Sequence, residues 1–361
     1  MTRNVPSCAT RAAAITVLIA ALSAGASALN TTVLTGLDSP RGIAVGPAGR
    51  LIYAEGPEAG DGLISELIAN GKNAGTTNLL NSVPGTYIAP NVATLGGQIF
   101  ALTAGGEPGS GSNTLYRVTN GKVQALADIA AYQVTDPDPY NLADPVDESN
   151  PFGLAPLPDG SVLVSDAAAN DLLRVYPNGK IVTVARLKPR LVAWPAGLPV
   201  GPPAGTMVPS EDVATSVAVG ADGYYYVGEL RGFPATPGTS QVWRIAPDSV
   251  NALCDPANPN VGACRRYADG FTSIVDLEGG PDGSIYVVQL SNASWARSPV
   301  GPFPVAGGDV GSVWRLAPGG GSRSELAAGQ LHLPAGVAVT SDNAVYVTSP
   351  VFGPGAITRV Q

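Results

Sequence analysis

From residue 30 onward the chain alternates short apolar runs with tight polar turns. Each unit reads apolar strand, turn, apolar strand, loop, third strand. The clearest copies are PRGIAVGPAGRLIYAE from Pro40, PFGLAPLPDGSVLVSD from Pro151 and ATSVAVGADGYYYVGE from Ala214. IVDLEGGPDGSIYVVQ from Ile274 and PAGVAVTSDNAVYVTS from Pro334 follow, and a degenerate copy holds GGQIFALT from Gly96. The turn residues Gly49, Gly97, Gly160, Gly223, Gly283 and Asn343 are spaced by 48, 63, 63, 60 and 60 residues. Asp-Gly and Asp-Asn turns tolerate positive φ and join antiparallel strands, here expected as two-residue hairpins. β-branched and aromatic residues on either side suit a pleated, packed surface.

A single copy cannot bury both faces of its sheet, so the copies must stack. Six modules predict an all-β fold, a six-bladed β-propeller (NHL-like) with four strands per blade, spanning residues 29–361. The last copy ends on its third strand, Ile357-Thr358-Arg359-Val360. The Thr31–Leu34 segment is therefore expected to supply the missing outer strand and close the ring. An arginine recurs in the third strand, at Arg117, Arg174, Arg244, Arg315 and Arg359. This repetition reads as scaffold, pairing with an acid or carbonyl of a neighbouring blade. Trp243 and Trp314 read as packing between blades.

Composition fits this picture. The 45 Gly and 33 Pro, with only 13 % charged residues, argue against helical bundles, which need long runs of helix formers. A net charge of −8 excludes a phosphate-gripping nucleic-acid surface. The first 28 residues read as a signal peptide. Arg3 and Arg11 give a basic start, Ala12 to Leu22 an apolar run, and Ala26-Ser27-Ala28 a small-x-small cleavage pattern. That run is short for a bilayer-spanning helix, and no later stretch is long enough. The mature chain is thus expected to be secreted (extracellular or periplasmic), without a membrane span, and monomeric. Cys8 leaves with the peptide, so Cys254 and Cys264 are expected to form a disulfide in an oxidising compartment.

Strand direction sorts residues by face. Six positions after each turn residue, where the second strand ends, stand Glu55, Thr103, Asp166, Glu229, Gln289 and Ser349. This position varies while staying polar, as a ligand-facing ring would. The same rim carries Arg41, Asn150, Asp212, Asp276 and His332, at or beside the start of the innermost strands. It also carries the acid-rich loop of Asp136, Asp138, Asp144, Asp147 and Glu148, and the Pro/Gly-rich Leu290–Gly311 excursion. Loops on a rigid scaffold are where binding residues concentrate. The competing reading is that polar strand ends satisfy the backbone of the next loop. The single histidine, His332, is a candidate general base or a hydrogen-bonded structural residue.

The segments NPFGLAPLPDGSVLVSDAAANDLLRV, TSVAVGADGYYYVGELRGFPATPG and GFTSIVDLEGGPDGSIYVV resemble the ScyD/ScyE family of secreted propellers. The resemblance runs through most of the mature chain and is weaker in the second blade. It implies an NHL-like propeller outside the cytoplasm, with no settled activity. By the same resemblance an acid would close GPDGSIYV where this chain has Gln289, which weakens a metal site relying on that blade.

Two functions are compatible with these residues. One is a binding or accessory propeller presenting its loop-rich rim to a small molecule, glycan or protein. The other is a hydrolase resembling gluconolactonases and paraoxonases, with Ca²⁺ held on the axis by Glu55, Asn150, Asp166, Glu229 and Asp276. There the metal would polarise an ester or lactone carbonyl, and a carboxylate or His332 would move the proton. The metal reading requires three or more of those oxygens within about 5 Å of one axial point.

Overall fold

The computed structural model describes residues 30–56, 60–67, 76–86, 88–142 and 145–361. The signal peptide assigned to residues 1–28, with Cys8, and Asp144 of the acidic loop lie outside them. The described residues build six radially arranged antiparallel blades. Their innermost strands are Ile43–Val45, Asn91–Leu95, Pro151–Pro156, Ala214–Val219, Ile274–Gly279 and Val337–Val339. Each contacts the innermost strand of the next blade, and the sixth contacts the first. The ring closes as expected. Thr31–Asp38 pairs antiparallel with Pro354–Val360 and becomes the outer strand of blade 6.

Six apolar cores lie between the six blades. One joins Ile52, Ile64 and Val83 of blade 1 to Val92 and Tyr116 of blade 2. Another joins Leu37, Ala338 and Ile357 of blade 6 to Ile43, Leu51 and Tyr53 of blade 1. Because both faces of each sheet are covered, the strands read as near-continuous apolar runs. Trp243 is fully buried between blades 3 and 4, and Trp314 packs between blades 4 and 5. In blades 1, 3 and 6 a glycine near the start of the innermost strand, Gly42, Gly153 or Gly336, lies against the backbone of the next blade. A Cβ at Gly153 would lie 2.7 Å from Cα of Ser216, and one at Gly336 would lie 2.2 Å from the Arg41 carbonyl.

The turns differ from the expected two-residue form. In blade 3 Gly160 N–H donates to Leu157 O at 2.9 Å and Leu157 N–H to Ser161 O at 2.8 Å. This is a type I turn followed by one left-handed residue, Gly160 at φ 82°. Blades 1, 4, 5 and 6 repeat the same two bonds. Blade 2 alone uses a two-residue turn, with Gly96 and Gly97 both at positive φ between paired Leu95 and Gln98. A type I turn favours proline at its second position, and Pro158 and Pro281 occupy it.

In blades 3, 4 and 5 the repeating arginine pairs with an aspartate of its own blade, not with a neighbour. Arg174 meets Asp159 at 2.6 Å, Arg244 meets Asp222 at 2.9 Å and Arg315 meets Asp282 at 2.6 Å. Each aspartate also accepts the N–H of the residue two further on, at Ser161, Tyr224 and Ser284. One carboxylate therefore shapes the turn and anchors the third strand.

Three features were not expected. A hairpin, Arg190–Ala193 with Met207–Ser210, stands between blades 3 and 4. The Ala252–Cys254 strand, from the last connection of blade 4, adds in parallel to the outer strand Ile181–Leu187 of blade 3. A short helix, Ile129–Gln133, is capped by Asp128 through the Ala131 N–H. The Cys254–Cys264 disulfide is formed, with Cα atoms 5.0 Å apart. It ties the added strand on blade 3 to the outer strand of blade 4. Among the described residues no helix is long and apolar enough to cross a membrane.

Candidate functional site

The register places each second-strand end beside the start of its innermost strand: Pro151 pairs with Asp166, Ala214 with Glu229 and Ile274 with Gln289. These ends thus share the rim carrying Arg41 and Asn150, here called the mouth. Their side chains, however, are turned into the blade and hold its loops. Asp166 is fully buried and accepts from Ser149 Oγ at 2.7 Å and from the N–H groups of Asn150, Ala168 and Ala169. Burial raises its pKa, and these hydrogen bonds pull against that rise. Gln289 accepts from Thr272 N–H at 2.5 Å and donates to Asn292 and Ser312. Glu55 accepts from Asp38 N–H at 2.7 Å, and Ser349 donates to His332 O at 2.7 Å.

In blade 4 the same position is part of a buried ion cluster. Glu229 takes the Arg231 guanidinium, the Trp243 indole N–H and the Gln241 amide. Arg231 also pairs with Asp212, and all three charged side chains are at most 1 % exposed. Burial pushes the Glu229 carboxyl up. The cluster fixes the chain leading into blade 4 against the loop that follows Glu229.

The five oxygen donors considered for calcium do not assemble. Glu55, Asp166 and Glu229 are committed to the partners above, each in its own blade. Among the described residues no group of three or more His, Cys, Asp or Glu side chains is placed to hold a metal ion. The donor set therefore does not fit Ca²⁺. His332 is exposed at the rim, its Nδ1 2.7 Å from Asp309 Oδ2.

At the axis side chains stitch blade to blade. Arg41, 3 % exposed, donates to Ala89 O at 3.1 Å and Phe152 O at 2.6 Å, and its guanidinium lies 3.8 Å over the Phe152 ring. One side chain of blade 1 thereby grips blades 2 and 3. Asn91 donates to Phe152 O at 3.2 Å, Thr215 to Ile274 O at 2.6 Å and Thr348 to Arg41 O at 2.7 Å. Asp276 accepts from Val337 N–H at 2.8 Å, linking blades 5 and 6.

Above Arg41 the mouth widens into a cavity of about 420 Å³. Its walls are mostly apolar, with Phe152, Leu230, Val275, Leu290, Trp295 and Phe352 prominent. Asn150, Thr215 and Ser298 supply the polar points. Trp295 comes from the Leu290–Gly311 excursion, and its indole donates to Arg231 O at 2.8 Å, tying that excursion to blade 4. A second cavity, about 660 Å³, adjoins the mouth and shares Asn150, Ala167 and Val213 with it. Glu107, Asp147 and Glu148 line it. Of the other acids in that loop, Asp136 pairs with Arg186 at 2.5 Å, and buried Asp138 accepts from Tyr140 N–H and Asn170.

Beyond Arg41 the axis continues as a narrow channel of about 200 Å³ lined by all six innermost strands. Asp276 and Glu278 face it. Burial raises Asp276 to about 7 against the pull of the Val337 N–H, the Leu277 N–H and Arg41. Glu278 rises to about 8, first through burial and then through the charge of Asp276.

Of the residues expected at the site, the structure brings Arg41 and Asn150 to the mouth and Asp276 to the channel beneath. It places Glu55, Asp166, Asp212, Glu229 and Gln289 within the blades and His332 outside. The apolar lining was not anticipated, because apolar residues in a propeller read as inter-blade core. The Pro/Gly-rich excursion that carries Trp295 was the available signal.

No family model matches this chain, and no curated protein does. Among solved structures it is similar to the PQQ-bound aldose sugar dehydrogenase of Streptomyces coelicolor. That match has 14 % identity over 91 % of this chain and 96 % of the other, with a TM-score of 0.54. It is also similar to a gluconolactonase of Xanthomonas campestris, at 10 % identity over 91 % and 88 %, with a TM-score of 0.55. At these identities the likeness is one of fold, the six-bladed propeller.

Proposed function

We propose that this chain is a secreted binding or accessory propeller that takes an apolar small molecule into its mouth. The observation that carries the reading is the 420 Å³ apolar cavity over the axis, whose size and few polar points suit a small-ligand pocket. The strand-end groups Glu55, Asp166, Glu229 and Gln289 are committed to holding loops. The disulfide and the Arg3/Arg11-to-Ala28 leader pattern support an oxidising destination. The resemblance to the ScyD/ScyE family agrees with a secreted propeller of this kind. For the alternative, a metal-dependent lactonase, no assembled set of acidic, His or Cys donors stands among the described residues.

The test is a fluorescence titration of the chain from residue 29 with the neutral dye N-phenylnaphthylamine. Saturable binding is expected, and Val300→Trp should abolish it. Val300 is 55 % exposed and lines the mouth, so this variant should fold normally. An absence of dye binding, or binding untouched by the substitution in a folded protein, would overturn the reading.

A further inference from the structure

The mouth and its neighbouring cavity differ in character. The mouth is apolar. The adjoining cavity is lined by Glu107, Asp147 and Glu148, with no Lys, Arg or His among the described residues that line it. These three carboxylates are exposed and make no ion pair or side-chain hydrogen bond among the described residues. Two separate loops deliver them, one between the second and third strands of blade 2, the other leading into blade 3. Among the described residues the only charge lining the mouth is Arg41, engaged with the Ala89 and Phe152 carbonyls, the Phe152 ring and the field of Asp276.

From this complementarity we infer that the ligand is a cationic amphiphile. Its apolar body fills the mouth between Phe152, Leu290 and Trp295. Its positive group crosses the shared wall of Asn150, Ala167 and Val213 and comes to rest among Glu107, Asp147 and Glu148. A hydrophobic surface alone would accept any apolar body; the acids set the sign of the head group. The net charge of −8 acts in the same direction at long range. This inference rests on the mouth being the binding site.

The experiment compares three probes with one tail by calorimetry: octyltrimethylammonium, octyl glucoside and octanoate. The parent protein should bind the cation about tenfold more tightly than the neutral glucoside, since three weak exposed contacts add to that order. Octanoate should bind weakest. The triple variant Glu107→Gln, Asp147→Asn, Glu148→Gln changes only exposed side chains. It should lower cation affinity to that of the glucoside while its thermal unfolding midpoint stays at the parental value. Raising the salt concentration should shrink the cation's advantage. Equal binding of all three probes, tighter binding of octanoate, or a triple variant with undiminished cation affinity would overturn the inference while the mouth reading stands. If none of the three binds, both fall.

Discussion

Arg41 is the side chain on which the inner ring and the floor of the mouth both depend, so its removal gives the most informative prediction. In Arg41→Met the aliphatic stem is roughly kept and the guanidinium is lost. Two charge-assisted hydrogen bonds, to Ala89 O and Phe152 O, disappear, each contributing about 1.5–3 kcal/mol. The stacking on Phe152 adds about 0.5–2 kcal/mol. Relief from desolvating the cation offsets a large part of this. A net loss of about 2–4 kcal/mol follows, a sizeable fraction of the roughly 5–15 kcal/mol that holds most domains folded.

The loss should also depend on pH. Burial raises Asp276 to about 7 in the fold, and Arg41 holds it down. A carboxyl with a raised folded pKa favours the fold at pH below its unfolded value, and that contribution is lost as pH rises through the folded value. Without Arg41 the folded value climbs further. Arg41→Met should therefore cost about 1 kcal/mol more above pH 8 than near pH 5, a single charge pair at intermediate dielectric. Urea unfolding at the two pH values measures both quantities. Arg41→Lys, which keeps the charge and gives up the fork, should be destabilised yet retain the parental pH profile. A Met variant that loses less than about 1 kcal/mol, or equally at both pH values, would show that Arg41 neither ties the inner ring nor holds the Asp276 charge.

Three further outcomes follow. Cys254→Ala with Cys264→Ala should lower stability by about 2–3 kcal/mol, from the short loop released and the blade 3 to blade 4 tie lost, read by thermal unfolding with and without reductant. Glu278→Gln should stabilise the protein above pH 8 by up to about 3 kcal/mol and change little near pH 5, because burial raises Glu278 to about 8; a flat difference across pH would contradict this. Leu37→Ala should cost about 2–3 kcal/mol in denaturant unfolding, because Leu37 is 5 % exposed in the core between the closing strand and blade 1.

The blades were legible because their punctuation is chemical. Gly160, Gly223 and Gly283 take the left-handed conformation their turns need, and each preceding aspartate shapes the turn. The closing strand was legible because the last copy stopped one strand short. The site was less so. The position of Glu55, Asp166, Glu229 and Gln289 varies because each blade caps a different loop with a different polar group, and variation of that origin looks like ligand diversity in one dimension. Whether a polar side chain points across the axis or back into its blade depends on partners such as Arg231 and Ser149, which lie outside the repeat. Phe152 and Leu290 carry no sequence mark separating a cavity wall from a core, since each also packs against inter-blade apolar residues.

The most direct measurement is a crystal structure with octyltrimethylammonium carrying bromine at the tip of its tail. A bromine anomalous peak is expected inside the mouth, among Phe152, Leu290 and Trp295, with the ammonium toward Glu107, Asp147 and Glu148. Bromine located elsewhere on the protein, with the mouth filled by solvent, would contradict it.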